Sequence, residues 1–214
     1  MTKIVIVRHG QSALNVSLDF MVGNQAHDTP FSEKNVHLTE QGIVQAKHVG
    51  DYLHRYFRFG ACYCSPFVRA EETADHVLQQ CNVSIDPTRD IRLSEKKFGD
   101  LYGFTAEAVR KYHPEEYNKR EQLGRYWYRP PNGENYEDVK QRIRSFMDWF
   151  AQTHNSEDAL VVTHQVPYKM IYADIAGLSD KDVEQLKPVP NCSVQLVELN
   201  GNGFTIADYN LMLN

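Results

Sequence analysis

Two histidines in this sequence stand directly after short runs of branched apolar residues. Arg8 and then His9 follow the run 4–7, and His164 directly follows the run 159–163. A strand that is apolar on both faces belongs in the middle of a covered sheet, and open α/β sheets bind ligands at the carboxyl ends of such strands. We therefore expect both imidazoles to lie in one pocket. The alternative is that each is a hydrogen-bonded structural histidine, but two at equivalent strand ends favour the shared pocket.

Two arginines are predicted to join the histidines. Arg8 is next to His9, and Arg69 opens a helix after Ser65 and Pro66. A guanidinium group binds phosphate oxygens through paired hydrogen bonds, and a helix start adds unpaired N–H donors. For Arg69 alone, a surface salt bridge is the competing interpretation. Taken together, the arginines and histidines predict a site for a phosphate group.

The turn after the first apolar run carries further polar residues. Gln11, Ser12 and Asn15 would add neutral donors to the site, although turn formation and helix capping explain the same residue types. Gly10 is expected to permit a close approach of the backbone. The turn is thus a candidate part of the phosphate pocket.

Composition limits the classes of protein that need to be considered. The chain has 214 residues, of which 42% are hydrophobic and 24% charged, with a formal net charge of −5. This length predicts a single domain over residues 1–214. We expect no membrane span, because no apolar stretch approaches about 18 residues. The acidic balance disfavours a nucleic-acid groove, so an anion must be bound by a local cluster of Arg and His.

The cysteines indicate a reducing environment. Cys62, Cys64, Cys81 and Cys192 form neither a C-x-x-C pair nor the mixed Cys/His spacing of a zinc site. We expect free thiols. The first residues lack the features of a secretory signal, and a cytoplasmic location is predicted.

Hydrophobic periodicity predicts an α/β fold, in which strands alternate with helices. The predicted strands are 4–7, 61–64, 83–86 and 159–163, and the predicted helices are 39–57, 69–80, 105–113, 136–153 and 167–176. Residues 23–35 are predicted to form a loop, and 193–199 with 204–209 a hairpin. This order indicates a three-layer α/β/α sandwich with a mostly parallel central sheet, closed by the antiparallel hairpin.

Five blocks of the sequence resemble, in the same order, the histidine phosphatase superfamily, also called phosphoglycerate mutase-like. They are RHGQSALN from residue 8, SPFVRAEETA from 65, LSEKKFGDLYG from 93, NGENYEDV from 132 and VVTH from 161. The resemblance runs from residue 4 to about residue 176, and five ordered blocks are far more specific than one. It implies the fold of that family and phosphoryl transfer through a histidine.

The family resemblance also implies a role for each matching residue. His9 would be the nucleophile that accepts the phosphoryl group, and Glu95 the proton donor. Without the pattern around it, Glu95 would be an ordinary loop carboxylate. The implied phosphate pocket consists of Arg8, Asn15, Arg69 and His164. Because these cationic groups would hold the phosphoryl charge, we expect neither a metal ion nor another cofactor.

Physical chemistry supports the two central roles. An imidazole must be neutral to attack phosphorus, and two nearby guanidinium groups disfavour imidazolium at His9. Its other nitrogen needs an acceptor, for which we expect a backbone carbonyl. Glu95 must arrive protonated and later accept a proton from water. A facing ammonium would oppose the protonated form, so Lys96 and Lys97 are expected to point elsewhere.

Two positions depart from the family pattern. Gln165 follows the second histidine, where the family usually has glycine, so a side chain lies where a backbone amide would approach phosphate. We expect Gln165 to contact phosphate through its amide, and its side chain to narrow the site or to select a substrate. Asn135 replaces the serine of the family's G-E-S block and is a predicted helix N-cap.

The spacing of the blocks favours hydrolysis over isomerisation. Mutases of this family carry a long segment between the acid block and G-E-S, whereas 37 residues separate Glu95 from Gly133 here. Residues 112–129 mix cations with aromatics and would cap the pocket or pack inward. We predict a metal-independent phosphomonoester hydrolase of the phosphatase-type branch that acts on a small phosphate ester. The alternatives are a phosphoglycerate mutase-type isomerase and a catalytically weak phosphate-binding or scaffold relative.

Overall fold

Strands and helices alternate along the chain in the computed structural model, which describes residues 2–20, 33–154, 156–201 and 203–211. Most of the predicted loop 23–35 lies outside these residues. The strands are β1 (Thr2–Arg8), β2 (Phe59–Cys64), β3 (Thr88–Arg89), β4 (Asp158–Thr163), β5 (Val194–Asn200) and β6 (Gly203–Leu211). The helices are α1 (Ala13–Phe20), α2 (Glu40–Leu53), α3 (Val68–Gln80), α4 (Ala106–Tyr112), α5 (Pro114–Trp127), α6 (Tyr136–Thr153), α7 (Gln165–Ile175) and α8 (Asp180–Gln185).

The strands form one six-stranded sheet in the order β3-β2-β4-β1-β5-β6. Strands β1 to β4 run parallel to one another, whereas β5 pairs antiparallel with β1, and β6 with β5. The predicted α/β fold with a mostly parallel sheet and a closing hairpin is confirmed. The hairpin turn includes position 202, which lies outside the described residues.

The core consists of two apolar layers, one on each face of β1. Ile4 and Ile6 contact the cluster under α6 and α7, while Val5 and Val7 contact the cluster under α2 and α3. All four side chains are 0% exposed. Each such burial contributes about 1.5–3 kcal/mol, which makes β1 a rigid support for the residues that follow it.

Local signals placed several helix starts correctly. The Oγ1 atom of Thr39 accepts a hydrogen bond of 3.0 Å from the amide of Gly42 at the start of α2. Asn135 caps α6 in the same way, and the Asp138 side chain completes the capping box. The predicted helix 136–153 is confirmed with its bounds, because its apolar face is fully buried.

Other boundaries differ from the prediction. Residues 83–86 form no strand, and a two-residue strand follows at Thr88–Arg89. Val83 and Ile85 still pack against the core, so their alternation reflects side-chain packing without backbone pairing. Helix α2 ends at Leu53 instead of residue 57, and α7 begins at Gln165 instead of residue 167. Within the described ranges, no helix is both long and apolar enough to cross a membrane.

Candidate active site

Strand register brings the two predicted histidines together. Arg8 of β1 pairs with Thr163 of β4, so the next residues, His9 and His164, leave adjacent strands side by side. The amide of His9 donates to the carbonyl of Thr163 at 2.9 Å. The two ring centroids are 5.0 Å apart with an interplanar angle of 61°, and both side chains are buried. The predicted shared location is therefore observed.

The His9 ring is held in one tautomer. Its Nδ1 lies 2.7 Å from the carbonyl oxygen of Gly10, which can only accept, so Nδ1 carries the proton and Nε2 the lone pair. The Nε atom of Arg69 donates to Nε2 at 3.3 Å. Burial, followed by the charges of Arg69 and Arg8, holds the pKa of His9 well below its usual value. The expected backbone acceptor is observed at Gly10, and the lowered pKa favours the neutral imidazole expected at His9.

The turn at Gly10 is clamped between two helices. A Cβ atom at this position would lie 2.6 Å from the carbonyl oxygen of Gly42 in α2, so only glycine fits. On the α3 side, the Gly10 amide donates to the Oγ1 of Thr73 at 3.0 Å, and that hydroxyl donates to the Arg69 carbonyl at 2.6 Å. Thr73 thus links the turn that orients His9 to the helix that carries Arg69.

The two arginines face the histidines from different elements. Arg69 packs over the ring of Phe67 at 4.9 Å and donates from Nη1 to the carbonyl of Glu33 at 2.8 Å. Arg8 donates from Nη1 to the carbonyl of Val189. Burial lowers the pKa of both guanidinium groups, and attraction to Glu95 acts in the opposite direction. Neither arginine forms an ion pair with a described carboxylate, so both charges remain available to an anion.

His164 is oriented by the end of a third strand. Its Nε2 lies 2.7 Å from the Oγ of Ser65, which directly follows β2. Its Nδ1 is buried and has no hydrogen-bond partner among the described residues. Burial, then the charges of Arg69, His9 and Arg8, keeps the pKa of His164 well below its usual value. The second imidazole is therefore also neutral.

Three backbone amides fix the carboxylate of Glu95. Its Oε1 accepts from Lys96 at 2.8 Å and from Val166 at 3.2 Å, and its Oε2 accepts from Gln165 at 3.1 Å. The carboxylate interacts electrostatically with both site arginines. It also lines a cavity of about 450 Å³ beside Phe67, whose ring is 5.0 Å from that of His164. Glu95 thus lies at the edge of the histidine pair.

A half-buried ion pair supports the loop of Glu95. Arg142 in α6 contacts both carboxylate oxygens of Glu134 at 3.0 and 3.2 Å and donates to the Glu95 carbonyl at 3.2 Å. Burial alone would raise the pKa of Glu134, but the hydrogen bonds from Arg142 and from the Lys97 amide, together with the charges of both residues, outweigh it and leave that pKa below its usual value. Glu134 also accepts from the Lys97 amide at 2.9 Å. The NGEN block therefore organises the acid loop.

Residues 186–192 close the site from the carboxyl-terminal side. Asn191 donates from Nδ2 to the carbonyl of His9 at 3.0 Å and to the Oδ1 of Asn15 at 3.2 Å. The Val189 amide donates to the side-chain oxygen of Gln165 at 3.3 Å. Asn15 and Gln165 thus lie beside the histidines, each bonded to this segment. Their phosphate contacts remain predictions.

Three residues that position the site were absent from the prediction, namely Ser65, Thr73 and Asn191.

Lys96 and Lys97 were both expected to point away from Glu95. The Lys96 ammonium lies over the Phe98 ring at 4.6 Å, yet its charge still attracts the Glu95 carboxylate. Lys97 lines the same cavity as Glu95. In the part of the chain that the structure describes, no three His, Cys, Asp or Glu side chains are grouped to hold a metal ion.

Comparison with known proteins connects this geometry to one family. The model of the histidine phosphatase superfamily (branch 1) matches residues 4–212. The 2,3-bisphosphoglycerate-dependent phosphoglycerate mutase of Bartonella tribocorum is 29% identical over 184 residues, which are 84% of each chain. Bacillus stearothermophilus YhfR has a TM-score of 0.83 at 26% identity, covering 100% of this chain and 99% of that one. Mycobacterial glucosyl-3-phosphoglycerate phosphatase with VO3 has a TM-score of 0.78 at 20% identity, covering 99% and 100%.

Proposed function

Because the chain belongs to the histidine phosphatase superfamily, branch 1, we propose that it hydrolyses a phosphomonoester through phosphohistidine at His9, without a metal ion. One observation carries the proposal. The Gly10 carbonyl holds the proton of His9 on Nδ1, while burial and two guanidinium groups keep the ring neutral. The lone pair of Nε2, which accepts a hydrogen bond from Arg69 in this structure, can form a bond to phosphorus once that hydrogen bond is displaced.

The first half-reaction transfers the phosphoryl group to the enzyme. His9 Nε2 bonds to phosphorus as the ester P–O bond breaks, and protonated Glu95 gives its proton to the leaving alkoxide. Arg8 and Arg69 hold the negative charge on the phosphoryl oxygens. His164 donates from Nδ1, the nitrogen left over when Nε2 accepts the hydroxyl proton of Ser65. Displacement of the Arg69–His9 contact frees the nucleophile as phosphate binds.

The second half-reaction returns the enzyme to its starting state. Glu95, now a carboxylate, accepts a proton from water while the water oxygen bonds to phosphorus and the P–N bond to His9 breaks. Inorganic phosphate leaves, and Glu95 is protonated for the next turnover. The three amides that fix this carboxylate keep it in one place through both steps.

The proposal is tested with 4-nitrophenyl phosphate in the presence of EDTA. We expect the wild type to hydrolyse this substrate. In His9→Ala, kcat should fall by about 1,000-fold or more, because the nucleophile is gone. Radiolabelled substrate should leave an acid-labile, alkali-stable label on the wild type. Glu95→Gln should retain this label longer, because the aryl leaving group needs no acid but water needs a base. Activity that requires a metal, or no label at His9, would contradict the proposal.

A mutase is the second candidate. The B. tribocorum mutase aligns over 84% of its own length and 84% of this chain, so the two proteins are of nearly equal length. Overall chain length therefore does not separate this protein from a mutase. Isomerisation of 3-phosphoglycerate primed with 2,3-bisphosphoglycerate, at a rate above that of its hydrolysis, would favour the mutase.

Two further features of the proposal concern substrate and location. Structural neighbours include glucosyl-3-phosphoglycerate phosphatase, which supports a small phosphate ester as the substrate here. All four cysteines are buried and free. Buried free thiols are compatible with a reducing compartment, which supports a cytoplasmic location.

A further inference from the structure

Two cavities flank Glu95. The first, which Glu95 itself lines, carries charges of both signs, among them Glu134 and Arg142. The second has a volume of about 330 Å³ and is lined by Lys96, Gln165 and Val166, the residues whose amides hold Glu95. The second cavity, here called the cationic cavity, therefore begins directly behind the proton donor.

The charged side chains of the cationic cavity are all positive. Lys96, Arg120 and Arg125 line it, and no carboxylate does. None of these three forms an ion pair with a described carboxylate, although Lys119 and Arg129, which flank the two arginines in sequence, each form one. Lys96 is only 5% exposed. Carboxylates act on these cations from outside the cavity, Glu95 on Lys96 and Glu184 beside the two arginines. Inside it, three cations surround one space without a described carboxylate, and an anion placed between them would be stabilised.

The rest of the cationic cavity is apolar. Its wall is formed by Phe98, Leu101, Phe104, Val109, Tyr128 and Tyr136, together with smaller residues. Phe98 packs under the Lys96 ammonium, so the apolar wall and one of the cations are in direct contact. Such a cavity favours a molecule that has an apolar body and a charged end.

We infer that the cationic cavity binds the leaving group of the substrate, and that this group is an apolar acid, with an anionic end bound by Lys96, Arg120 and Arg125. The inference rests on the proposed function, since Glu95 delivers its proton to the same leaving group. Because the cavity adjoins Glu95, the leaving oxygen can lie at the acid while the apolar body of the leaving group packs against the aromatic wall. A small polar leaving group would make no contact with that wall.

The test compares two substrates of the same shape, 4-carboxyphenyl phosphate and 4-carbamoylphenyl phosphate. They differ in the charge at the far end of one ring. For the wild type we expect kcat/KM to be about 10- to 100-fold higher for the carboxylate, because hydrogen bonds to a charged group are the stronger ones. A ratio near one would overturn the inference while leaving the proposed function intact.

Substitutions in the cavity test whether it causes the preference for the carboxylate substrate. Lys96→Met and the more exposed Arg125→Met should each reduce the carboxylate-to-carboxamide ratio about tenfold. Arg110→Met is the matched control, because it removes one positive charge from α4 outside the cavity and should keep the wild-type ratio. Arg125→Met also covers the case in which Lys96→Met fails to fold. A ratio that none of the cavity variants moves would overturn the site.

A binding measurement separates this inference from the proposed function. The non-hydrolysable 4-carboxybenzylphosphonate and its carboxamide analogue are titrated into the wild type by calorimetry. Tighter binding of the carboxylate without any turnover of esters would support the cationic cavity and reject hydrolysis. Turnover of 4-nitrophenyl phosphate with equal binding of the two phosphonates would reject the cavity and retain hydrolysis.

Discussion

Thr73 is the side chain whose removal tests most directly how the site is held together. Its hydroxyl accepts from the Gly10 amide at 3.0 Å and lies in a fully buried position. Thr73→Val keeps the shape of the side chain but leaves the buried Gly10 N–H without a partner. An unsatisfied buried donor costs about 1–3 kcal/mol, which for a chain of this size lowers Tm by roughly 2–12 °C.

The same substitution should slow catalysis, because Gly10 also supplies the carbonyl that fixes the His9 tautomer. We expect kcat on 4-nitrophenyl phosphate to fall about tenfold, since small displacements of a nucleophile are costly. Thr73→Ser restores the hydroxyl and should recover both stability and rate. Thr153→Val is the matched control, because that exposed hydroxyl bonds only to carbonyls of its own helix, and it should change stability by under about 0.5 kcal/mol.

Urea unfolding and steady-state kinetics on the same preparations decide the outcome. If the free energy of unfolding of Thr73→Val lay within about 0.5 kcal/mol of the wild-type value, Thr73 would not be holding the Gly10 turn in place. The same conclusion would follow if Thr73→Ser were as damaging as Thr73→Val.

Three further predictions concern other parts of the site. Ser65→Ala removes the hydroxyl that orients His164 and should lower kcat about tenfold; an unchanged kcat would show that Ser65 has no part in positioning. Gly42→Ala would place a Cβ 2.0 Å from the Gln11 carbonyl oxygen and should cost about 1–3 kcal/mol in urea unfolding, whereas Gly201→Ala, with no atom within 4 Å, is the control. Burial lowers the pKa of Lys96 to about 8, so the carboxylate preference should be full below about pH 7 and decline as pH rises through the pKa; a flat ratio across this range would contradict the role of Lys96. The groups whose charges act on Lys96 are Glu95, Glu134, Arg120 and Asp138.

The central histidines could be predicted because a simple rule applied to both. The runs before them are apolar on both faces, so they had to form central strands, and parallel strands end at one edge. The same rule applied to β2 identifies Ser65, the residue that directly follows this strand. Ser65 accordingly had a usable signal in the sequence.

Thr73 and Asn191 had no such signal. Each is an ordinary polar residue by type, and its role depends on segments distant in the chain, 63 residues away for Thr73 and Gly10, and 182 for Asn191 and His9. Helix α5 escaped prediction for another reason. Tyr126 is its one buried residue, so it has no apolar stripe, and Gly124 interrupts it with φ 77° and ψ 160°.

The bond between Asn191 and His9 also bears on how the protein matures during synthesis. The segment that contains Asn191 is synthesised 182 positions after His9. Contacts of such long sequence separation form late in folding. A nascent chain therefore carries His9 without this hydrogen bond at least until Asn191 has been synthesised and can fold back onto it.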